Sequence, residues 1–213
     1  MKTEELIDML SRGPDVAVRH PPARDTVVPL LAGVLASIVL MLILLGVRPD
    51  LPQAVRLPAF WLKLGFSVAL AGAAWWAALR LSVPGARTAA APPMLATPVI
   101  MLWCVAAVAL LQAAPETRAA LFWGSTWRYC PPLIALLALP LLAAALTLMR
   151  ARAATRPAWA GAAAGLAAGA SAAALYCLHC PEMSAVFVGF WYLLGMLAPA
   201  ALGALLGRRV LAW

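Results

Sequence analysis

Apolar residues along this chain gather into six long blocks separated by short polar breaks, at 27–47, 58–79, 93–113, 131–149, 157–176 and 183–206. A helix rises 1.5 Å per residue, so a block of about twenty residues crosses a hydrocarbon core of about 30 Å. The pattern predicts an all-α, polytopic membrane protein with six transmembrane helices. The breaks carry helix punctuation: Arg48-Pro49-Asp50 after the first block, a Pro/Gly/Ala-rich loop with Arg87 after the second, Arg208-Arg209 after the sixth. Lys63 lies near the start of the second block and is expected to snorkel to the interface. Trp123, Trp127 and Tyr129 precede the fourth block and suit the membrane–water boundary, where 119–127 can lie as a short helix.

Residues 1–26 are the one sizeable polar segment. Thr3 can cap a short helix whose first turn holds Glu4 and Glu5. Leu6, Ile7, Met9 and Leu10 give it an apolar stripe, Asp8 lies elsewhere on its surface, and Gly13-Pro14 stops it. Two turns are unstable alone in water, so the segment is either a frayed tail or an element that orders against a partner.

Composition sharpens this reading. Apolar residues make up 65% of the chain and charged ones 11%, with a mean hydropathy of +0.92, which excludes an ordinary soluble domain. The net charge of +8 is scattered singly between apolar runs, a poor fit to nucleic acid and a good one to topology determinants. With the N-terminus inside, eleven basic residues fall on the inner side and four on the outer, leaving out Lys63. Both termini are therefore expected in the cytoplasm. The domains follow as a cytoplasmic segment 1–26, a six-helix domain 27–207 and a cytoplasmic C-terminus 208–213. No cleavable signal is evident, since the first apolar run is long enough to span. Gly161, Gly165 and Gly169 put small residues on one face of the fifth helix, where a neighbouring helix can pack closely; oligomeric state stays open.

The candidate chemistry lies in two Cys-Pro junctions, Tyr129-Cys130-Pro131-Pro132 and Cys177-Leu178-His179-Cys180-Pro181-Glu182. Proline favours the first position of a helix, which puts Cys130 and Cys180 at N-caps, where the positive helix end favours a thiolate; Arg128 adds a cation beside Cys130. Both sit at the outer ends of their helices, so packing helix four near helix six brings the thiols together. The pair then forms a disulfide, a soft-metal site, or alternates between them. Cys177, one turn before Cys180, is a third candidate sensor thiol beside Cys130 and Cys180, and His179 in the same turn makes Cys130, Cys180 and His179 the candidate metal ligands. Cys104, inside an apolar run, reads as a small apolar filler.

The opening residues 1–10, the six spans, Trp127-Arg128-Tyr129-Cys130, and Cys180-Pro181-Glu182 followed by Trp191-Tyr192 resemble the NrsF family. These are membrane anti-sigma factors that negatively regulate an extracytoplasmic-function sigma factor of the sigma-F type. The resemblance implies a multi-pass protein of the bacterial inner membrane whose cytoplasmic tail, through Thr3 to Leu10, holds the sigma factor away from RNA polymerase. It also implies that Cys130 and Cys180 sense heavy metal or oxidative stress and trigger release. No obligatory cofactor follows, only a transient soft metal ion at the cysteines; the partners are the sigma factor and the bilayer, without direct contact to nucleic acid. Glu4, Glu5 and Asp8 are then suited to pair with basic residues of the sigma factor, and Leu6, Met9 and Leu10 to supply buried contact.

Two rivals belong to other classes. A membrane thiol-disulfide oxidoreductase would use the Cys177–Cys180 pair and quinone, but such a relay wants a second thiol pair and Cys130 is alone in its loop. A transporter needs ionisable groups within its spans, and Lys63 is nearly all the sequence offers. Eight acidic residues form no catalytic dyad, triad or phosphate loop, so the expectation is a regulator and not an enzyme.

Overall fold

In the computed structural model, residues 3–5, 8, 23–83, 85–150, 152 and 154–211 are described, the side chains of 23–26 excepted. All regular structure among them is helical. The spans are α1 (Ala23–Leu44), α3 (Pro58–Leu81), α4 (Ala91–Gln112), α6 (Cys130–Arg150), α7 (Pro157–Tyr176) and α8 (Ala185–Val210). Each is long and apolar enough to cross a bilayer, and together they make the chain a polytopic membrane protein. Two short helices, α2 (Leu51–Ala54) and α5 (Pro115–Trp123), lie in the loops at the end of the bundle opposite the termini. Proline occupies the first turn of α2, α3, α4, α5 and α7, where its missing N–H costs no helical hydrogen bond.

Helix α7 forms the centre of the bundle, packed against α3, α6 and α8, while α1 rests on α6 and α4 on α3. The cause is its composition. Without a hydrophobic drive between helices in lipid, association depends on close van der Waals contact, which small residues permit. Gly161, Gly165 and Gly169 turn toward α8, where Gly203, Pro199 and Met196 face them. A Cβ at Gly161 would run into the Gly203 carbonyl oxygen, and one at Gly165 into that of Pro199. The small face is thus filled within the molecule.

The first five residues after Phe187, Val188–Tyr192, form a π turn inside α8. One residue is in effect inserted, and the freed geometry is used: Trp103 Nε1 of α4 donates to the Gly189 carbonyl at 3.0 Å and Trp191 Nε1 donates to the Phe122 carbonyl at 2.9 Å. Rings of Phe122, Trp123, Trp127, Phe190 and Trp191 stack around this turn at 4.8–5.8 Å between centroids. The aromatic loop is therefore fastened to the start of α8, and its helix covers 115–123, ending four residues earlier than the sequence pattern suggested.

Candidate functional site

Three thiols meet at the end of the bundle opposite the termini. Cys130 is the first residue of α6, its N–H donating to Thr126 O at 3.0 Å. Cys177 ends α7, its N–H bonded to Ala173 O at 3.1 Å. Cys180 closes a tight turn whose N–H groups, from Leu178 to Cys180, donate to the carbonyls of Leu175 and Tyr176. All three side chains have 0% exposure, and all are free thiols. Cys104 lies apart, exposed on α4.

The thiols are not equivalent. Burial pushes Cys177 up to about 11, with Lys63 and Ser67 acting weakly the other way. It stays protonated and donates its S–H to Ala173 O at 3.2 Å. Cys180 is held below the ordinary thiol range, chiefly by a hydrogen bond from Cys130, with burial opposing and the Lys63 charge assisting. Cys130 and Cys180 are thus hydrogen-bonded to each other, and Cys177 is a hydrogen-bonded wall of the site.

Cys180 owes this setting to its loop and not to a helix end. The N-cap of α8 is Ser184, whose hydroxyl accepts from Phe187 N–H at 3.4 Å, so Pro181 does not open a helix and the expected cap position for Cys180 is corrected. The segment 180–182 stays outside any helix, with the carbonyls of Cys180 and Glu182 already claimed. Lys63 Nζ donates to Cys180 O and to Glu182 O, each at 2.9 Å, and Arg48 Nη1 donates to Cys180 O at 3.1 Å. The Glu182 carboxylate in turn accepts from Ser125 N–H at 2.6 Å and Ser125 Oγ at 2.7 Å. Gly124 makes this approach possible: its φ is +55°, and a Cβ there would lie 2.8 Å from the Glu182 carboxylate.

Lys63 was expected at the interface; instead it is 1% exposed, its ammonium 5.7 Å from the Tyr192 ring centroid. No ion pair joins it to a carboxylate among the described residues. Arg128, expected beside Cys130, lies over the Trp127 ring at 5.1 Å, so the cation that reaches the thiols is Lys63. The Tyr192 hydroxyl is the one buried side-chain polar atom, among the described residues, without a hydrogen-bond partner; it faces Cys177 and Cys180 without closing a bond to either. A lone lysine in an apolar run was the signal that sequence reasoning undervalued, since an ionisable group inside a span is by default part of a site.

His179 points away from the thiols, its Nδ1 3.1 Å from the Gly46 carbonyl, and because a carbonyl only accepts, that nitrogen carries the proton. Arg48 N–H donates to Leu178 O at 3.0 Å, which ties the loop after α1 to the cysteine turn at a second point. Among the described residues no three His, Cys, Asp or Glu side chains gather to hold a metal ion. The donor set suited to a soft cation is the two sulfurs of Cys130 and Cys180. Thr3, Glu4, Glu5 and Asp8 are helical and exposed, whereas Leu6, Ile7, Met9 and Leu10 fall outside the described residues.

The family model described as negative regulator of sigma F, NrsF, matches residues 10–213. A protein of Azospira oryzae named as a probable anti-sigma-F factor NrsF is 51% identical over 213 residues, covering 100% of both chains. The anti-sigma-F factor NrsF of Caulobacter vibrioides is 40% identical over 219 residues, again with 100% of both chains covered. No solved structure matches.

Proposed function

This chain belongs to the NrsF family, and from that premise we propose that it is a membrane anti-sigma factor that holds a sigma factor of the extracytoplasmic-function type and releases it when Cys130 and Cys180 react. The observation that carries the reading is end-to-end similarity to two proteins named as anti-sigma-F factors. The sensing half is supported by the pairing of the Cys130 and Cys180 thiols in a buried site lined by Lys63 and Tyr192. In this account the protein sits in the bacterial inner membrane with both termini in the cytoplasm, as the distribution of basic residues favours. It acts as a regulator and not as an enzyme.

The chemistry is simple in either form. A soft divalent metal would be held by the sulfurs of Cys130 and Cys180 with release of whatever thiol protons remain, or an oxidant of the outer compartment would take two electrons as the two sulfurs join and the remaining thiol protons leave. Either event draws the 177–182 turn toward the start of α6. That turn is tied by Arg48 to the loop after α1 and by Lys63 to α3. Helix α1 begins at Ala23, directly after the N-terminal segment in the chain, so strain at the thiols has a packed route along α1 toward that segment. A tenfold loss of sigma affinity requires only about 1.4 kcal/mol of differential stabilisation.

The test is capture of sigma factors from a host lysate on the detergent-solubilised chain, compared with a chain lacking residues 2–12. Retention of one sigma factor by the intact chain alone is the expected result. Equal retention by both forms removes the N-terminal segment from the interface, and retention by neither overturns the anti-sigma reading. Quinone-linked turnover of the thiols by the intact chain would favour the oxidoreductase instead.

A further inference from the structure

At the end of the bundle that carries both termini, two cavities join. The first, about 190 Å³, is polar and lies between Arg80, at the end of α3, and Arg156, before α7, with Thr88 and Thr155 beside them. The second, about 500 Å³, is an apolar groove between α4, α7 and α8, floored by Leu166 and Leu197. Leu81, Thr88 and Arg156 belong to both, so the polar pocket opens directly into the groove. A third hollow, toward Ile100 and Leu193, shares Leu166 and Leu197 and continues it into the middle of the span.

Length and charge identify an occupant. From Arg156 to Leu166 is ten residues of α7, about 15 Å along the axis, which is half of a hydrocarbon core of about 30 Å. The groove is therefore one leaflet deep, with two guanidinium groups where a headgroup would lie. None of the residues lining either cavity is acidic. The Arg80 guanidinium is seated over the Trp76 ring at 5.4 Å, which fixes its place at the rim. We infer that this groove binds an anionic glycerophospholipid, its phosphate between Arg80 and Arg156 and one acyl chain along α7 against Leu166 and Leu197.

The experiment uses the full chain in neutral detergent with a phosphatidylglycerol fluorescently labelled on its acyl chain, displaced by unlabelled phosphatidylglycerol, phosphatidylcholine or inorganic phosphate. Each arginine near an anionic headgroup is worth about fivefold in affinity, so phosphatidylglycerol is expected to compete about twenty-fivefold better than phosphatidylcholine. Replacing both arginines, Arg80→Gln with Arg156→Gln, should bring the two lipids close to parity, with an unchanged far-ultraviolet circular dichroism spectrum reporting that the variant is folded. Arg80→Lys with Arg156→Lys should keep most of the preference. Arg208→Gln with Arg209→Gln, at the same end but outside the groove, should leave it intact. The inference is overturned if the intact protein shows no preference, if the Arg80/Arg156 glutamine pair retains it, if the Arg208/Arg209 pair loses it equally, or if inorganic phosphate displaces the labelled lipid as well as phosphatidylglycerol does.

Discussion

Replacing Gly165 by alanine tests the packing on which the whole bundle is built. The added Cβ would lie 2.7 Å from the Pro199 carbonyl carbon and 2.8 Å from Ala200 Cα, and closer still to the Pro199 oxygen, where ordinary contact begins at 3.4 Å. These are backbone atoms of α8 and no rotamer relieves them. The carbonyl carbon alone requires the helices to part by about 0.7 Å and the nearer Pro199 oxygen requires more, and a gap approaching 1 Å forfeits about half of each dispersion contact along the seam. Overpacking of this kind costs about 1–3 kcal/mol. Gly72 on α3 supplies the contrast, because nothing lies within 4 Å of its added Cβ. There alanine should stabilise by about 0.5–1 kcal/mol, through the lower chain entropy it brings to a helix. Sodium dodecyl sulfate titration from mixed micelles, followed by far-ultraviolet circular dichroism, measures both. Gly165→Ala should unfold at lower detergent fraction than the parent and Gly72→Ala at the same or higher. Equal midpoints for the two variants would refute the close α7–α8 contact.

Lys63→Met removes the Lys63 bond to the Glu182 carbonyl and leaves Arg48 alone on Cys180 O; a loss of about 1–3 kcal/mol is expected in the same titration. Lys63→Arg, which keeps a donor, should fall between it and the parent. Cys177→Ser preserves a donor to Ala173 O and should leave sigma release unchanged, which sodium-dodecyl-sulfate-free capture before and after thiol modification would check. Asp50 is drawn below its ordinary value by the hydrogen bond from Arg48, against a small burial effect. Its depressed folded value means that the tether adds stability at neutral pH and loses it as pH falls through the acid range; Asp50→Asn should flatten that part of a stability-against-pH curve.

Six spans were legible because lipid demands long, uninterrupted apolar helices, and nothing else in the chain competes with that signal. The small face of Gly161, Gly165 and Gly169 was legible as a contact, though not which helix would fill it. Cys130 and Cys180 could be placed at one end from topology alone. What stayed hidden depends on tertiary hydrogen bonds. Cys180-Pro181 has the local form of a helix start, yet Lys63 and Arg48 claim the carbonyls around it and the helix begins only after Ser184. Lys63 has the length to reach an interface, but carbonyls left unpaired in the loop above draw its ammonium inward. The split between Cys177 and Cys180 likewise arises from tertiary surroundings, burial pushing the first up while the second accepts a hydrogen bond from Cys130 near the Lys63 charge, and spacing carries no trace of that.

Reaction at Cys130 and Cys180 should release a sigma factor held through the N-terminal segment. The most direct test is sigma retention by the full chain in lipid nanodiscs, measured before and after adding a soft divalent metal or a mild thiol oxidant, for the parent and for Cys130→Ser with Cys180→Ser. The account predicts at least a tenfold loss of retention in the parent and none in the double variant. Unchanged retention in the parent, or equal release from both, would contradict it.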